Sequence, residues 1–231
     1  MEVKDIIQKE EEFFNQFDRM GVPRGGLTLA DSEELDSLVR KLQKENLTIA
    51  DVGCWTGQST AILTNIVKQL KGKVYAIDWF QGSETTNLDE PAQYFNIKRI
   101  FEENMRSMNS SNNVELINKK SKDAVNDFAD NSLDVVFLDA DHRYEYIKED
   151  IKLWLPKVKP TGLLCGHDCE VVVKDGVNSL LDMYKDEDTI KVLHLGVCVA
   201  VGELGGRKTK MLDKFSPKET TITSVWYFVK G

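Results

Sequence analysis

The chain reads as one α/β protein with a mostly parallel sheet covered by helices, and three observations predict it. Short apolar runs of strand length alternate with amphipathic helical stretches along most of the 231 residues, which is the pattern of successive strand–helix–strand units. The apolar run that begins at Leu47 passes through a tight glycine loop, Gly53-Cys-Trp-Thr-Gly57, into a helix marked by Ile62, Leu63, Ile66, Val67 and Leu70. A second strand, residues 73–78, then ends on a carboxylate, Asp78. A glycine loop between strand and helix lets backbone N–H groups and the positive helix terminus approach a ligand. An acid closing the next strand stands where ribose hydroxyls are gripped in such units.

The elements follow in order. Val3, Ile6, Ile7, Phe13, Phe14, Phe17 and Met20 form one apolar stripe, predicting a helix over residues 2–20. The run Gly21-Val-Pro-Arg-Gly-Gly26 breaks it, and Asp31-Ser-Glu-Glu34 opens a second helix through Leu42. Residues 1–45 therefore read as a helical cap and residues 46–231 as one globular unit. Strands are expected near 47–53, 73–78, 113–118, 133–139 and 162–166, with helices near 58–70, 93–108, 122–129, 144–155 and 172–185. The ending differs. Residues 191–201 and 221–230 are β-rich runs with no helix between them, which predicts an antiparallel pair and a sheet of seven strands. The polar connection over residues 82–91 either covers a ligand site or is a plain surface excursion.

Composition narrows the function classes. With 41% apolar and 29% charged residues the chain is of globular type, and no apolar run is long enough to span a membrane. A formal charge of −8 argues against a nucleic-acid partner, which a basic face would serve. The opening Met1-Glu-Val-Lys-Asp is too acidic for a signal peptide, so a cytoplasmic protein is expected. Cys54, Cys165, Cys169 and Cys198 form no disulfide framework. Cys165-Gly-His-Asp-Cys169 has no second cysteine pair to complete a zinc site, and core or strand-end thiols fit better. The apolar stripe of the first helix would cap an acceptor pocket or pair subunits in a homo-oligomer.

Two blocks carry chemistry. In the glycine loop the middle glycine of the G-x-G-x-x-G dinucleotide pattern is missing, which counts against a nicotinamide-dependent oxidoreductase, the first rival reading. The second block is Leu133-Asp-Val-Val-Phe-Leu-Asp-Ala-Asp-His142, where Asp139, Asp141 and His142 fall just past a buried strand. That edge of an open sheet is where ligands bind. Asp139 otherwise serves as a cap or loop acceptor, and His142 as a packed polar side chain. His167 reads as a ligand, an acceptor contact or, the favoured reading, a satisfied strand-end histidine, and His194, inside an apparent strand, as structural.

The acid at Asp51, two residues before the first glycine, and the G-x-x-x-G spacing resemble motif I of the S-adenosylmethionine-dependent methyltransferases. The order Asp139-Ala-Asp-His142, then Leu155-Pro-Lys-Val-Lys-Pro-Thr-Gly162, then Gly166-His-Asp168 resembles the macrocin-type sugar O-methyltransferases and, more distantly, catechol O-methyltransferase. The resemblance covers residues 28–230, and the tail resembles the last two strands of the class I methyltransferase fold. It implies a Rossmann-like, seven-stranded sheet whose antiparallel last strand lies between the fifth and sixth. It implies S-adenosyl-L-methionine as cofactor and methyl transfer to a hydroxyl of a small-molecule acceptor, with neither nucleic acid nor membrane as partner. The backbone of Gly53, Cys54 and Gly57 would pack against the methionine end, and Asp51 would hold the loop or meet the amino group. Trp55 would be a further cofactor contact, Asp78 would bond the ribose, and Trp79 and Ser121 would lie beside adenine. Trp79 otherwise belongs to the core. Asp139 and Asp168 would hold Mg²⁺ close to the cofactor, and His142 would act as general base. Two positions depart from the pattern. Cys169 stands where catechol-type enzymes carry an asparagine ligand, and Thr161 where relatives carry a second glycine, expected to alter only a turn. A nucleoside-binding module that transfers nothing is the second rival.

Overall fold

The structure, a computed structural model, describes residues 25–82, 89–173, 178–190, 193–207 and 223–231. The helix expected over residues 2–20 and most of the polar connection lie outside the described residues, as does the part of the tail from 208 to 222. Six strands form one sheet: β1 (Thr48–Val52), β2 (Lys73–Ile77), β3 (Val114–Ile117), β4 (Leu133–Leu138), β5 (Val158–Gly166) and β6 (Trp226–Val229). Their order is β3-β2-β1-β4-β5-β6. The first five are parallel and β6 runs antiparallel beside β5. Helices α1 (Leu29–Arg40), α2 (Gln58–Leu70), α3 (Asp89–Tyr94), α4 (Ile97–Ser107), α5 (Ser121–Ala124), α6 (Tyr144–Trp154), α7 (Asn178–Tyr184) and α8 (Leu195–Leu204) accompany it.

Alternation along the strands divides the core between the two faces of the sheet. Ile49, Val74, Val135, Phe137 and Leu163 pack with Leu35, Leu38, Ile62 and Ile66 of α1 and α2. Ala50, Val52, Val136, Leu138 and Leu164 pack with Ile147, Ile151 and Trp154 of α6 and with the apolar run of α8. Helix α1 starts at a capping box: the Thr28 hydroxyl accepts from the Asp31 backbone N–H at 3.2 Å, and Asp31 accepts from the Thr28 backbone N–H at 2.9 Å. Helix formation breaks between α3 and α4, where Asn96 caps the new start by accepting from the Arg99 N–H.

The sheet has six strands among the described residues, where seven were expected. The expected sixth strand is instead helix α8, buried from Leu195 to Val201 and closed by Gly205 at φ 74°. An unbroken apolar run such as Leu-Gly-Val-Cys-Val-Ala-Val has no polar face to declare its period, so strand and buried helix look alike in sequence. Among the described residues a seventh strand shows as one bridge: Arg207, past α8, exchanges backbone hydrogen bonds with Tyr227 of β6.

Register positions the site. Val52 lies beside Ile77 and Leu138, and Leu138 beside Gly166. The residues that follow, Gly53, Asp78, Asp139 and His167, are therefore delivered to one edge of the sheet. The chain is contorted there, with left-handed φ at Trp55 (42°), Phe80 (59°) and Asp168 (59°), a conformation that non-glycine residues keep mainly at functional sites. Thr161 also adopts φ 63° in the irregular start of β5, where its N–H donates to the Lys230 carbonyl at 2.8 Å. A glycine would occupy that turn without strain.

Candidate active site

Beyond the ends of β1, β2 and β4 lies a cavity of about 250 Å³. Gly53, Trp55, Asp78, Trp79, Ser121 and Asp139 line it, together with Asp141, Arg143, Tyr146 and Asp150. Gly53 makes the approach possible. Its φ is +91°, and a Cβ there would stand 2.0 Å from the Asp139 carbonyl oxygen, so β1 and β4 meet through a bare backbone. Asp78 organises the floor: one carboxylate oxygen accepts from the Trp55 N–H at 2.8 Å, the other from the Phe80 N–H at 2.7 Å. Burial raises its pKa against the pull of those N–H groups.

The remaining residues of the glycine loop work beneath the cavity. Asp51 is fully buried and accepts from the Ser59 hydroxyl at 3.0 Å and the Thr60 hydroxyl at 2.5 Å, tying β1 to the first turn of α2. Burial pushes it up to about 7, with both hydroxyls opposing. Cys54 is buried against Ala61 and Phe101. Gly57 starts α2 at φ +99°, where a Cβ would press on the Met105 methyl at 2.6 Å. None of these three lines the cavity.

On the opposite wall the Ser121 hydroxyl donates to Asp150 at 2.5 Å and accepts from the Trp154 indole at 2.8 Å. The Trp79 ring carries the Lys120 ammonium 4.0 Å above it, and the Arg143 guanidinium lies 4.0 Å over Tyr146 while pairing with Asp141 at 2.6 Å. Asp150 is a cavity residue that sequence reasoning missed, because a lone acid on an amphipathic helix reads as solvated. Burial, aided by Glu149 and Asp141 and opposed by Ser121, raises it from 3.8 to about 7. The fold thus prefers the protonated carboxyl. The stability this supplies is full below pH 3.8 and is lost as pH rises through about 7. Asp150→Asn, which cannot ionise, should gain stability relative to wild type by roughly 2–4 kcal/mol between pH 5 and 8. Denaturant titrations at both pH values would show it, and a constant difference would mean that Asp150 is ionised throughout.

Behind Asp139 the chain's three histidines gather around one carboxylate. Asp168 lies 3.0 Å from His142 Nε2, 3.1 Å from His167 Nδ1 and 3.5 Å from His194 Nδ1. Asp139 lies 3.7 Å from His142 Nε2 and 4.0 Å from His167 Nδ1. Two further acids face the opposite ring nitrogens, Asp188 at 3.0 Å from His142 Nδ1 and Asp31 at 3.2 Å from His167 Nε2, while Glu170 shares His194 Nδ1 with Asp168, at 2.8 Å. Burial alone would lower the pKa values of His142 and His167, yet the surrounding carboxylates hold both well above the ordinary value. Burial would raise Asp168, and His167 and His142 hold it well below the usual carboxylate range.

His167 and His194 are therefore members of this cluster, beyond the strand-end and structural roles their sequence context suggested. His194 is no strand residue: it stands at the N-cap of α8. Asp31 and Asp188 carried no site signal in the sequence, since each comes from a distant segment and only folding unites them with Asp168, while Glu170, two residues after Asp168, meets His194 only through the fold. All four cysteines are buried and none forms a disulfide. Among the described residues, the groupings able to hold a metal ion contain histidine and aspartate but no cysteine. No helix among the described residues is long and apolar enough to cross a membrane.

Comparison with known proteins bears on the fold and the family. The fold is similar to that of a putative caffeoyl-CoA O-methyltransferase from Staphylococcus aureus, with TM-score 0.58 and 15% identity over 99% of this chain and 97% of that one. It is also similar to a putative O-methyltransferase from Klebsiella pneumoniae, with TM-score 0.55 and 15% identity over 96% and 89% of the two chains. An SAH-bound methyltransferase from Podospora anserina aligns with TM-score 0.54 and 10% identity over 85% and 76%. A curated relative, an uncharacterized protein of Sinorhizobium fredii, is 29% identical over 102 residues, which make up 44% of this chain and only 11% of that protein. The family model described as a methyltransferase domain matches residues 50–169, from inside β1 to the residue after Asp168. That stretch is more than half of the chain and contains the glycine loop, Asp78, Asp139 and His142, and on it the protein belongs to the methyltransferase-domain family.

Proposed function

We propose that this protein transfers the methyl group of S-adenosylmethionine to a hydroxyl oxygen of a small molecule, of sugar or phenol type. The observation that carries the reading is the placement of Asp139, which lines the cavity and also faces His142 and His167. A nucleoside cofactor seated against Gly53 and Asp78 would present its reactive end toward a cluster built to handle protons. Methyl transfer is an in-line displacement: the acceptor oxygen forms a bond to the methyl carbon, the sulfonium bond breaks, and S-adenosylhomocysteine leaves. The protein supplies alignment and a place for the acceptor proton. His142 is suited to take that proton at Nε2, because Asp188 faces Nδ1 and fixes the ring from behind. The same carboxylates hold its pKa well above the ordinary value, so the ring serves as base only in its deprotonated form, and turnover should rise toward alkaline pH.

A dication fits the same edge. Oxygens of Asp139 and Asp168 lie within 4.8 Å of one another and of the His167 Nδ1 atom, and the two carboxylates are hard donors of the kind that hold Mg²⁺. Such an ion would supply electrostatic stabilisation of the acceptor oxygen as its proton leaves. The net charge of −8 supports a small-molecule acceptor over nucleic acid, and buried cysteines without disulfides are consistent with a cytoplasmic setting.

Calorimetry with S-adenosylmethionine, S-adenosylhomocysteine and NADH tests the cofactor. Binding of the first two and not the third is expected. Asp78→Ala should weaken S-adenosylhomocysteine binding by about 1–3 kcal/mol, since it removes the acceptor that orders the Trp55 and Phe80 amides. Binding of NADH alone would overturn the assignment in favour of an oxidoreductase.

A further inference from the structure

We propose that His167 is an imidazole ligand, beside Asp139 and Asp168, to a first-row transition dication of the Mn²⁺ kind, with Asp31 as the carboxylate that orients its ring. The proposal rests on the reading of this strand edge as a methyltransferase active site, and it identifies the third protein ligand and the class of ion. The ring of His167 is 7% exposed and sits directly after β5. Its Nδ1 faces Asp168 at 3.1 Å and Asp139 at 4.0 Å. All three donor atoms lie within 4.8 Å of one another, a spread that one ion with bonds of about 2.0–2.2 Å can bridge with small adjustments.

The opposite nitrogen gives the second observation. His167 Nε2 is buried and makes no aligned hydrogen bond, although Asp31 Oδ2 stands 3.2 Å away. Asp31 cannot swing freely toward another role. It is 2% exposed, accepts from the Thr28 N–H at the cap of α1, and accepts from the Ser224 N–H at 2.8 Å. A fixed carboxylate behind an imidazole whose other nitrogen points at two acids is the arrangement that orients metal-bound histidine. His142 forms the other grouping able to hold an ion, with Asp168 Oδ2 at 3.0 Å and His194, but that set contains one carboxylate where the His167 set contains two. Magnesium prefers oxygen donors and retained water, whereas imidazole suits Fe²⁺, Ni²⁺, Cu²⁺ and Zn²⁺, and Mn²⁺ opens the same first-row series as its weakest binder. One nitrogen in the set therefore shifts the preference away from Mg²⁺.

The test uses the full chain, stripped with EDTA and titrated with Mn²⁺ or Mg²⁺ by calorimetry, with electron spin echo spectroscopy of the bound Mn²⁺. Mn²⁺ should bind at least about tenfold more tightly than Mg²⁺ and show ¹⁴N coupling from a directly bound imidazole. His167→Gln should lose that coupling, while His142→Gln should keep it. Asp31→Asn, of nearly equal volume, should retain the coupling and bind Mn²⁺ about 10–100-fold more weakly. Binding of S-adenosylhomocysteine, measured without metal, reports separately on the cofactor site and on folding. Protein that binds S-adenosylhomocysteine but shows no ¹⁴N coupling, or equal affinity for the two ions, would retain the methyltransferase reading and refute this one. A coupling lost in His142→Gln and kept in His167→Gln would refute it equally.

Discussion

His142→Ala is expected to slow methyl transfer by about 10²–10⁴, the usual worth of a positioned base, while affinity for S-adenosylhomocysteine stays within about twofold of wild type. The separation follows from where the side chain sits. His142 Nε2 faces Asp139 and Asp168, outside the wall formed by Gly53, Asp78 and Trp79. Its removal therefore takes away a proton acceptor without opening the cavity floor. Asp188→Asn separates orientation from chemistry. The imidazole remains, but the carboxylate that faces Nδ1 at 3.0 Å becomes an amide, and the preferred tautomer is no longer enforced. A loss of roughly tenfold or more, smaller than that of the alanine variant, is expected. Transfer of labelled methyl from S-adenosylmethionine to an accepted hydroxyl compound gives both values. Unchanged turnover in His142→Ala would move the base elsewhere in the cluster.

Gly53→Ala should be the most damaging of the glycine-to-alanine changes among the described residues. The added Cβ would lie 2.0 Å from the Asp139 carbonyl oxygen and 2.8 Å from the Ala140 Cα, both backbone atoms that cannot rotate away. The residue would also have to hold φ +91°, which costs a non-glycine residue of order 1–3 kcal/mol before any clash. A loss of about 3–5 kcal/mol of stability is expected, together with loss of S-adenosylhomocysteine binding, because β1 and β4 must part where the cavity forms. Gly205→Ala is the control. It carries a similar φ of +74° with nothing within 4 Å, so the conformational term alone, about 1 kcal/mol, should remain. Thermal and denaturant unfolding of the two variants distinguish clash from backbone strain. Equal losses would mean that β4 yields at Asp139.

Local pattern carried the parallel sheet, the glycine loop and the acids at the strand ends. A strand buried on both faces, such as Leu133–Leu138, is apolar throughout, and the first polar residue after it marks the sheet edge. Asp139 and Asp78 were legible for that reason. So was α2, whose apolar residues recur at helical spacing behind Gly57. The same logic failed at Leu195–Leu204, where burial on every side removed the periodicity that tells helix from strand.

What the sequence determined by itself was the order of elements and the residues that each strand delivers to the carboxyl edge, because hydrophobic period and glycine punctuation are properties of neighbouring positions. Only the tertiary structure decided which distant groups meet there. Asp31 comes from the cap of α1, Asp188 from beyond α7 and His194 from the N-cap of α8, and Glu170, two residues after Asp168, meets His194 only through the fold. Each is an ordinary polar residue in its own stretch of chain. Their shared location around Asp168 arises because burying the apolar faces of α1 and α8 against the sheet brings their polar ends to the same edge. Proximity of that kind is set by packing across long sequence separations, and no local pattern encodes it.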